Sequence, residues 1–307
     1  MTDESKILTI GLPKGSLQEA TLALFAKAGF VFYGSERSLW LASNDSEIKP
    51  VLIRPQEIPK YVSNGSLDCG LSGLDWITET ECLDKVKIIA DLCYSKQTFN
   101  PVRWVLAVAN DSPYKNLDDL NNMDRTPRIS TELKKITEDW LAQNGVVAEV
   151  EFSWGATEAK TPFFADAIVE CTETGASLEA AGLRIIDTVF QSTTKFFANK
   201  EVYRKDEWKR TKLEGLVVLL SSCLMADTKV VIDVEVARDN AQVVQALIPS
   251  QAKFSAWESQ GGHILIHIIM DRTLSRDIIP LFARKGVNRI TVSSLGMLYE
   301  KNAVSEG

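Results

Sequence analysis

Short apolar runs alternate with longer amphipathic segments along most of the chain, and this rhythm constrains the fold more than any other feature. Runs with the length of buried strands lie at 7–10, 51–53, 67–73, 86–90, 102–109, 128–130 and 148–152. Helical spacing follows in segments such as 17–28, 58–63 and 132–143. Strands separated by helices of roughly 12 residues predict parallel sheets with helices on their faces, so we expect an α/β fold.

The stretch Ala165–Leu178, which reads A-D-A-I-V-E-C-T-E-T-G-A-S-L, predicts a strand, a turn rich in hydroxyl groups and the start of a helix. The free amides of a first helical turn bind anions, and Gly175 lets a phosphate approach the backbone. Hydroxyl donors come from Thr172, Thr174 and Ser177. An ordinary strand–loop–helix with a hydroxyl cap has the same spacing, so spacing alone leaves both interpretations open.

Two carboxylates precede this turn at even spacing. Asp166 and Glu170 share one face of a strand, about 13 Å apart by the strand rise alone. An acidic group above a phosphate site suits a ribose diol or a Mg²⁺ ion.

A lysine stands at the exit of the first predicted strand. Lys14 follows the run 7–10, and Ser16 with Glu19 predicts a capping box for the helix 17–28. Ligands of α/β sheets bind at this edge, although the segment alone also fits a solvated lysine in a turn.

Composition narrows the class of protein. The chain has 307 residues and a formal charge of −7, which argues against bulk nucleic-acid binding. Its five cysteines include no C-x-x-C motif, which is typical of a reducing cytoplasm. The N-terminus lacks the features of a signal peptide, and no 18-residue apolar run follows, so we expect no membrane partner.

The last third of the chain has a pattern of its own. The predicted order is β-α-β-β-α-β, which is typical of a ferredoxin-like unit. Its segments lie at 229–236, 241–247, 253–257, 263–270, 274–285 and 288–293, with a turn at 260–262. His263 and His267 are the only histidines, and we interpret them as strand residues rather than metal ligands.

The segment D-A-I-V-E-x-x-x-T-G-A-S-L resembles the phosphoribosyl-diphosphate signature of ATP phosphoribosyltransferase, the first enzyme of histidine biosynthesis. The resemblance extends into Gly155–Glu158, Glu179–Leu183 and the segment from Ile53 to Asp75. It implies a pentosyltransferase that joins N1 of the ATP adenine to C1 of phosphoribosyl diphosphate and expels pyrophosphate. Such a reaction needs alignment and charge stabilisation more than a nucleophilic side chain.

The resemblance also implies the site residues. Asp166 and Glu170 are the expected catalytic and Mg²⁺-binding acids. The expected phosphoribosyl-diphosphate site consists of Asp166, Glu170, Thr172, Glu173, Thr174, Gly175, Ala176 and Ser177. The expected ATP and diphosphate contacts are Lys14, Gly15, Arg54, Arg103 and Glu158.

The architecture that follows from the resemblance is a two-lobed body like the type II periplasmic binding proteins. Residues 1–98 with 190–222 form one expected lobe and 99–189 the other, which carries the phosphoribosyl-diphosphate motif. Residues 225–307 form an expected ACT-like (ferredoxin-like) regulatory domain that binds histidine as an inhibitor, as in the long form of the enzyme. We expect a cytoplasmic homo-oligomer, from dimer to hexamer.

Three positions depart from the family pattern, and two other functions compete with the resemblance. Ser16 replaces an arginine, while Glu57 and Glu170 replace aspartates. A prephenate dehydratase has a similar domain order, but Lys195 stands where its Thr-Arg-Phe segment has arginine. A non-catalytic solute-binding protein has a similar two-lobed body.

Overall fold

The computed structural model describes residues 6–35, 38–94, 101–259 and 261–301 of the chain. The chain divides into two compact units, and the boundary falls between Val217 and Val218. We call the N-terminal part unit 1 and the C-terminal part unit 2. Within the described ranges, none of the helices combines the length and apolar character needed to cross a membrane.

The strands of unit 1 follow the predicted rhythm, with ends that differ from the predicted ones by a few residues. A short hairpin, formed by the second and third strands, was not predicted. In chain order the strands are β1 (Leu8–Pro13), β2 (Phe32–Tyr33), β3 (Ala42–Ser43), β4 (Ile48–Ile53), β5 (Cys69–Gly73), β6 (Val86–Leu92), β7 (Val102–Ala109), β8 (Arg128–Thr131), β9 (Glu149–Phe152), β10 (Ala167–Thr172), β11 (Leu183–Ser192) and β12 (Thr194–Asn199).

The helices of unit 1 are mostly short. They are α1 (Gln18–Lys27), α2 (Ile58–Ser63), α3 (Leu74–Glu79), α4 (Leu117–Asn121), α5 (Lys134–Gln143), α6 (Ala176–Ala180), α7 (Lys200–Lys205) and α8 (Glu207–Thr228), which runs through the unit boundary. The sequence pattern missed α3, α4 and α7, and it ended α8 at residue 222.

Each of the two main sheets of unit 1 is mixed rather than parallel. The first has the spatial order β4-β1-β5-β12-β6, and the second has the order β11-β7-β10-β8-β9. β1 runs parallel to β4 and β5, and β8 runs parallel to β9 and β10. β12 is antiparallel to both of its neighbours, and so is β7. The prediction of parallel sheets is therefore correct only for the helix-connected strands, because β7 and β12 enter where the chain crosses between the sheets.

The continuous apolar run of β7 has a structural cause. Its even residues, including Trp104 and Leu106, pack into one core cluster with Ile129 and Val169. Its odd residue Val105 packs into a second cluster on the opposite face. A strand that is buried on both faces needs apolar side chains at every position.

Two predicted helix caps are wrong. α1 begins at Gln18 with Leu17 at the N-cap position and no side-chain cap, so Ser16 and Glu19 form no capping box. The Gly15–Gln18 turn, closed by a 3.1 Å backbone hydrogen bond, places Ser16 before the cap position. The sequence also predicts Thr131 as the cap of the helix at 132–143, but Thr131 ends β8, and Glu79 of α3 caps the first turn of α5.

Unit 2 has the predicted order of elements. They are β13 (Lys229–Ala237), α9 (Arg238–Gln245), β14 (Lys253–Glu258), β15 (His263–Asp271), α10 (Arg272–Arg284) and β16 (Val287–Ser294). The sheet is antiparallel, in the order β14-β15-β13-β16, and side chains of its inner face pack with α9 and α10. The predicted turn at 260–262 includes Gln260, which lies outside the described residues.

The two histidines are strand residues, as predicted. Both lie in β15, and Nδ1 of His267 is 2.8 Å from the Asp233 carboxylate on the neighbouring strand. A cross-strand polar pair therefore engages one ring nitrogen of His267.

Truncation of the core side chain of β12 should destabilise unit 1. Phe197 is fully buried between β5 and β6, so we expect Phe197→Ala to lower the free energy of unfolding by about 3–5 kcal/mol. Urea unfolding followed by tryptophan fluorescence measures the change. Phe163→Ala, at a side chain that is 83% exposed, is the control. Equal losses from both variants would contradict the assigned core.

Candidate active site

A cavity of about 560 Å³ lies in unit 1, where loops of both sheets approach the two crossings of the chain. The first sheet contributes the loops that follow β1, β4 and β5. The second sheet contributes β7, the loop after β8 and the segment from Glu170 to Ser177. Residues on either side of the crossings, including Tyr94 and Thr193, complete the wall. The volume is in the range of small-molecule sites.

The predicted strand, turn and helix are present at this cavity. β10 ends at Thr172, and α6 begins at Ala176, two residues earlier than predicted. Gly175 has φ of 90°, a left-handed conformation that favours glycine. The Gly175 amide donates to Thr172 Oγ1 at 2.8 Å, and the Ala176 amide donates to Thr174 Oγ1 at 3.4 Å. We call residues 172–177 the hydroxyl loop; Thr172, Thr174, Ala176 and Ser177 line the cavity.

Glu170 lines the same cavity from the end of β10. Burial raises the pKa of its carboxyl group, and the nearby Glu132 and Glu158 carboxylates act in the same direction. Hydrogen bonds from the Cys171 amide and the Thr157 hydroxyl oppose this shift. The carboxyl group of Glu170 is therefore harder to ionise than that of a solvent-exposed glutamate.

Asp166 lies outside this cavity. The Arg125 guanidinium donates to its carboxylate at 2.8 Å, and the Arg128 amide does so at the same distance. Burial opposes the charged form, but these two donors outweigh burial and lower the pKa of Asp166. The structure thus separates the two predicted acids: Glu170 stands at the cavity, and Asp166 holds the other end of the strand.

Two of the three predicted basic residues line a second cavity, of about 490 Å³. Lys14 and Arg54 line it together with Glu57, Trp40 and Tyr61. Their chain neighbours in the same two loops, such as Ser16 and Pro55, line the first cavity. The loops after β1 and β4 therefore serve both cavities. Gly15, with φ of 109°, makes the turn between the two sets of lining residues.

Two further predicted contacts do not line either cavity. Arg103 lies in β7 between Val102 and Trp104, which both line the first cavity, so strand alternation directs Arg103 to the other face. Glu158 is exposed in the 3₁₀ turn Thr157–Ala159, and it reaches Glu170 only through charge.

The first cavity is acidic. Carboxylates of Asp75, Glu132, Glu170 and Glu173 line it, and no lysine or arginine among the described residues does so. Sequence patterns did not single out Glu132 as a site residue. Within the described ranges there is also no cluster of three or more histidine, cysteine or acidic side chains that could hold a metal by itself.

Lys160, which the sequence analysis did not single out, is linked to Glu170 through a chain of hydrogen bonds. Lys160 is half-buried and donates to the hydroxyls of Ser153 at 2.7 Å and Ser130 at 3.2 Å. Ser153 is 2.8 Å from the hydroxyl of Thr157, which in turn interacts with Glu170. In the sequence, only the G-A-T-E-A-K segment, which contains Thr157 and Lys160, could have indicated that Lys160 lies near the site.

A family model and the curated relatives of this chain name one family. The family model described as ATP phosphoribosyltransferase matches residues 54–222. The chain belongs to the ATP phosphoribosyltransferase family. An ATP phosphoribosyltransferase of Pelotomaculum thermopropionicum is 47% identical over 290 residues, which are 92% of this chain and 96% of the relative. Another from Chlorobium phaeobacteroides is 44% identical over 98% of this chain and the whole of the relative.

A solved structure supports the family assignment. A chain of the ATP phosphoribosyl transferase (HisG:HisZ) complex from Thermotoga maritima aligns with a TM-score of 0.59 and 25% identity. The match covers 99% of that chain and 70% of this one. An ATP phosphoribosyltransferase carries out the first step of histidine biosynthesis, so this family takes precedence over the prephenate dehydratase and solute-binding alternatives.

The ion pair of Asp166 should make a contribution to stability that depends on pH. Because the folded pKa lies below the ordinary value of 3.8, the contribution is complete above 3.8 and is lost as the pH falls through the folded value. We expect Asp166→Asn to lower the urea midpoint of unfolding at neutral pH. In acid, the midpoints of the variant and the parent protein should become equal. Asp139→Asn, in an exposed ion pair with Lys135, is the control and should change little. A constant difference at every pH would refute the assignment.

Proposed function

We propose that the cavity beside the hydroxyl loop is where the ribose of phosphoribosyl diphosphate reacts with ATP. The adenine N1–ribose C1 bond forms, the C1–oxygen bond to diphosphate breaks, and pyrophosphate leaves with the electron pair. The hydroxyl loop, in a cavity that both sheets line in a member of this family, is the observation that carries the proposal.

The hydroxyl loop holds the 5′-phosphate in this proposal. Amides at the start of α6 have no partners within the helix, and the loop hydroxyls supply further donors. The residues are Thr172, Thr174, Gly175, Ala176 and Ser177. The Gly175 and Ala176 amides already donate to the Thr172 and Thr174 hydroxyls; these bonds order the loop, and the phosphate would replace or share them. We call this arrangement the cradle.

Glu170 holds the ribose hydroxyls and stabilises positive charge at the sugar. The displacement passes through oxocarbenium character, and a fixed carboxylate nearby stabilises such charge. Glu173 lines the same cavity and is a further partner for the sugar or its cation. Asp166, bound to Arg125, supports β10 from its other end and has no substrate contact in this proposal.

Mg²⁺ fits this site as part of the substrate complex. Mg²⁺ prefers hard oxygen ligands and usually combines one or two carboxylates with substrate phosphates and water. The lining carboxylates Glu170, Glu173 and Glu132 offer such oxygens, and Asp166 does not reach the cavity. Bound there, the ion would neutralise the departing diphosphate. Lys14 and Arg54, in the adjoining cavity, would bind phosphates of ATP or diphosphate.

The rest of the chain has regulatory and structural roles in the proposal. Residues 1–98 with 190–222 and residues 99–189 are the lobes of a body like the type II periplasmic binding proteins. Residues 225–307 are an ACT-like domain that binds histidine as a feedback inhibitor. Every residue of the edge strand β14 is exposed, including Phe254 and Trp257, and this edge supports assembly of several copies. The five cysteines form no disulfide bond with one another, which supports a cytoplasmic location.

Loss of a loop hydroxyl should weaken one substrate selectively. We expect Ser177→Ala and Thr174→Ala to raise the KM for phosphoribosyl diphosphate by about 10- to 150-fold, because a hydrogen bond to a charged group is worth roughly 1.5–3 kcal/mol. The KM for ATP should change much less. Spectrophotometric formation of phosphoribosyl-ATP gives both constants. Equal effects on the two substrates would count against the cradle, and Ser112→Ala, away from the cavity, is the control.

Removal of the C-terminal domain should uncouple activity from histidine. A chain that ends at residue 224 should form phosphoribosyl-ATP but should lose inhibition by histidine, since it lacks the proposed effector domain. The same assay, with and without histidine, measures both properties. Inhibition that survives the deletion would place the histidine site in unit 1.

A further inference from the structure

Helix α3 is joined to elements of the second sheet at both of its ends, although it follows a strand of the first. At its start, Trp104 Nε1 of β7 donates to Asp75 Oδ2 at 2.7 Å. The Asp75 amide donates to Ser192 Oγ, at the end of β11, at 3.1 Å. At its end, Glu79 accepts the amides of Lys135 and Ile136 in the first turn of α5, both at 2.9 Å.

The contact between Asp75 and Trp104 is buried. Asp75 is 4% exposed and Trp104 is 3% exposed. The second Asp75 oxygen accepts the Trp76 amide at 2.8 Å, and the rings of Trp76 and Trp104 meet edge to face with centroids 5.9 Å apart. A buried carboxylate is stable only when such donors satisfy it, so loss of one donor is costly.

Gly73 makes this arrangement possible. A Cβ atom at that position would lie 2.0 Å from Asp75 Oδ1 and 3.0 Å from Ser192 Oγ. Any other residue would displace the carboxylate from its donors. The close approach of backbone and carboxylate is therefore a specific requirement of this contact.

The same contact reaches the proposed substrate site. Asp75, Trp76, Trp104 and Ser192 all line the first cavity. In the register of β7 and β10, Trp104 stands opposite Cys171, the residue between Glu170 and the hydroxyl loop. A shift of Trp104 would therefore move the end of the strand that carries the loop.

We propose that α3 clamps the two sheets of unit 1 together and that Asp75 and Trp104 are positioning residues for the substrate cavity. The clamp consists of the Asp75–Trp104 and Asp75–Ser192 hydrogen bonds and the Glu79 cap on α5. It holds the walls of the cavity in the arrangement that binds both substrates. This inference rests on the assignment of that cavity to phosphoribosyl diphosphate and ATP.

Trp104→Phe tests the clamp because it keeps the ring and removes the donor. Loss of a hydrogen bond to a charged group lowers the population of the binding arrangement, so we expect the KM values for both substrates to rise together by about 5- to 50-fold, with a smaller change in kcat. The matched control is Trp140→Phe, whose ring packs against the same core of the second sheet but lies on α5. It should stay within about twofold of the parent enzyme, because Trp140 does not line the cavity.

A double-mutant cycle distinguishes a direct interaction between Asp75 and Trp104 from general destabilisation of the protein. Asp75→Asn removes one of the two acceptors, and Asp75→Asn combined with Trp104→Phe should raise KM by less than the product of the single effects. If Trp104→Phe fails to fold, Glu79→Gln weakens the other end of the clamp and should raise both KM values in the same joint way. Multiplicative effects in the cycle, or a folded Trp104→Phe enzyme that behaves like Trp140→Phe, would overturn the proposal.

The outcomes distinguish the clamp from the cradle. Failure of the cradle appears as Ser177→Ala with an unchanged KM for phosphoribosyl diphosphate. Failure of the clamp appears as unchanged KM values in Trp104→Phe, whatever Ser177→Ala does. Hydrogen exchange at the Lys135 and Ile136 amides adds a readout without substrate: Glu79→Gln should speed their exchange, and unchanged protection would also overturn the clamp.

Discussion

Strands β7 and β12 are each hydrogen-bonded to a neighbouring strand along both edges. The architecture of unit 1 depends on this constraint. Each strand begins just after the chain has crossed from the other sheet, and each is antiparallel to both neighbours. A strand paired on both edges cannot shift without breaking two ladders of hydrogen bonds. The starts of the two strands at Val102 and Thr194 are therefore fixed, and with them the part of the cavity that these residues line.

Charge is distributed unevenly around that position. Among the described residues, the first cavity has carboxylates in its lining, while Lys14 and Arg54 line the neighbouring one. Like charges crowded in a partly buried space raise one another's pKa, as at Glu170. A ligand that carries both phosphates and a bound cation satisfies this distribution better than a simple anion does. The acidic lining is the reason for the proposal that the polyphosphate substrate binds there together with a cation.

The parts of the structure that depend on residues close together in the sequence were the easiest to predict. A segment of about a dozen residues contains the end of β10, the turn at Gly175 and the start of α6. Its apolar run, its glycine and its hydroxyl residues all indicate a strand, a turn and a helix. The order of elements in unit 2 followed from alternation and turns for the same reason.

Features that depend on distant partners could not be predicted. The direction of β7 and β12 has no signal in their apolar runs, because a doubly buried strand has the same composition in either direction. Asp166 looked like a site acid, yet its partner Arg125 lies 41 residues away. α3 is six residues long, too short for periodicity to reveal, and its contact with Trp104 spans 29 residues.

The bond between the Thr172 hydroxyl and the Gly175 amide, 2.8 Å long, has a consequence for the speed of recognition. Thr172 is buried, so its side chain adopts one conformation during folding and holds the loop from below the surface. A loop that is already ordered needs no slow rearrangement when a ligand arrives. In the proposed function, the encounter with a sugar phosphate is therefore governed by diffusion and by the removal of water, and the lifetime of the complex by the strength of its contacts.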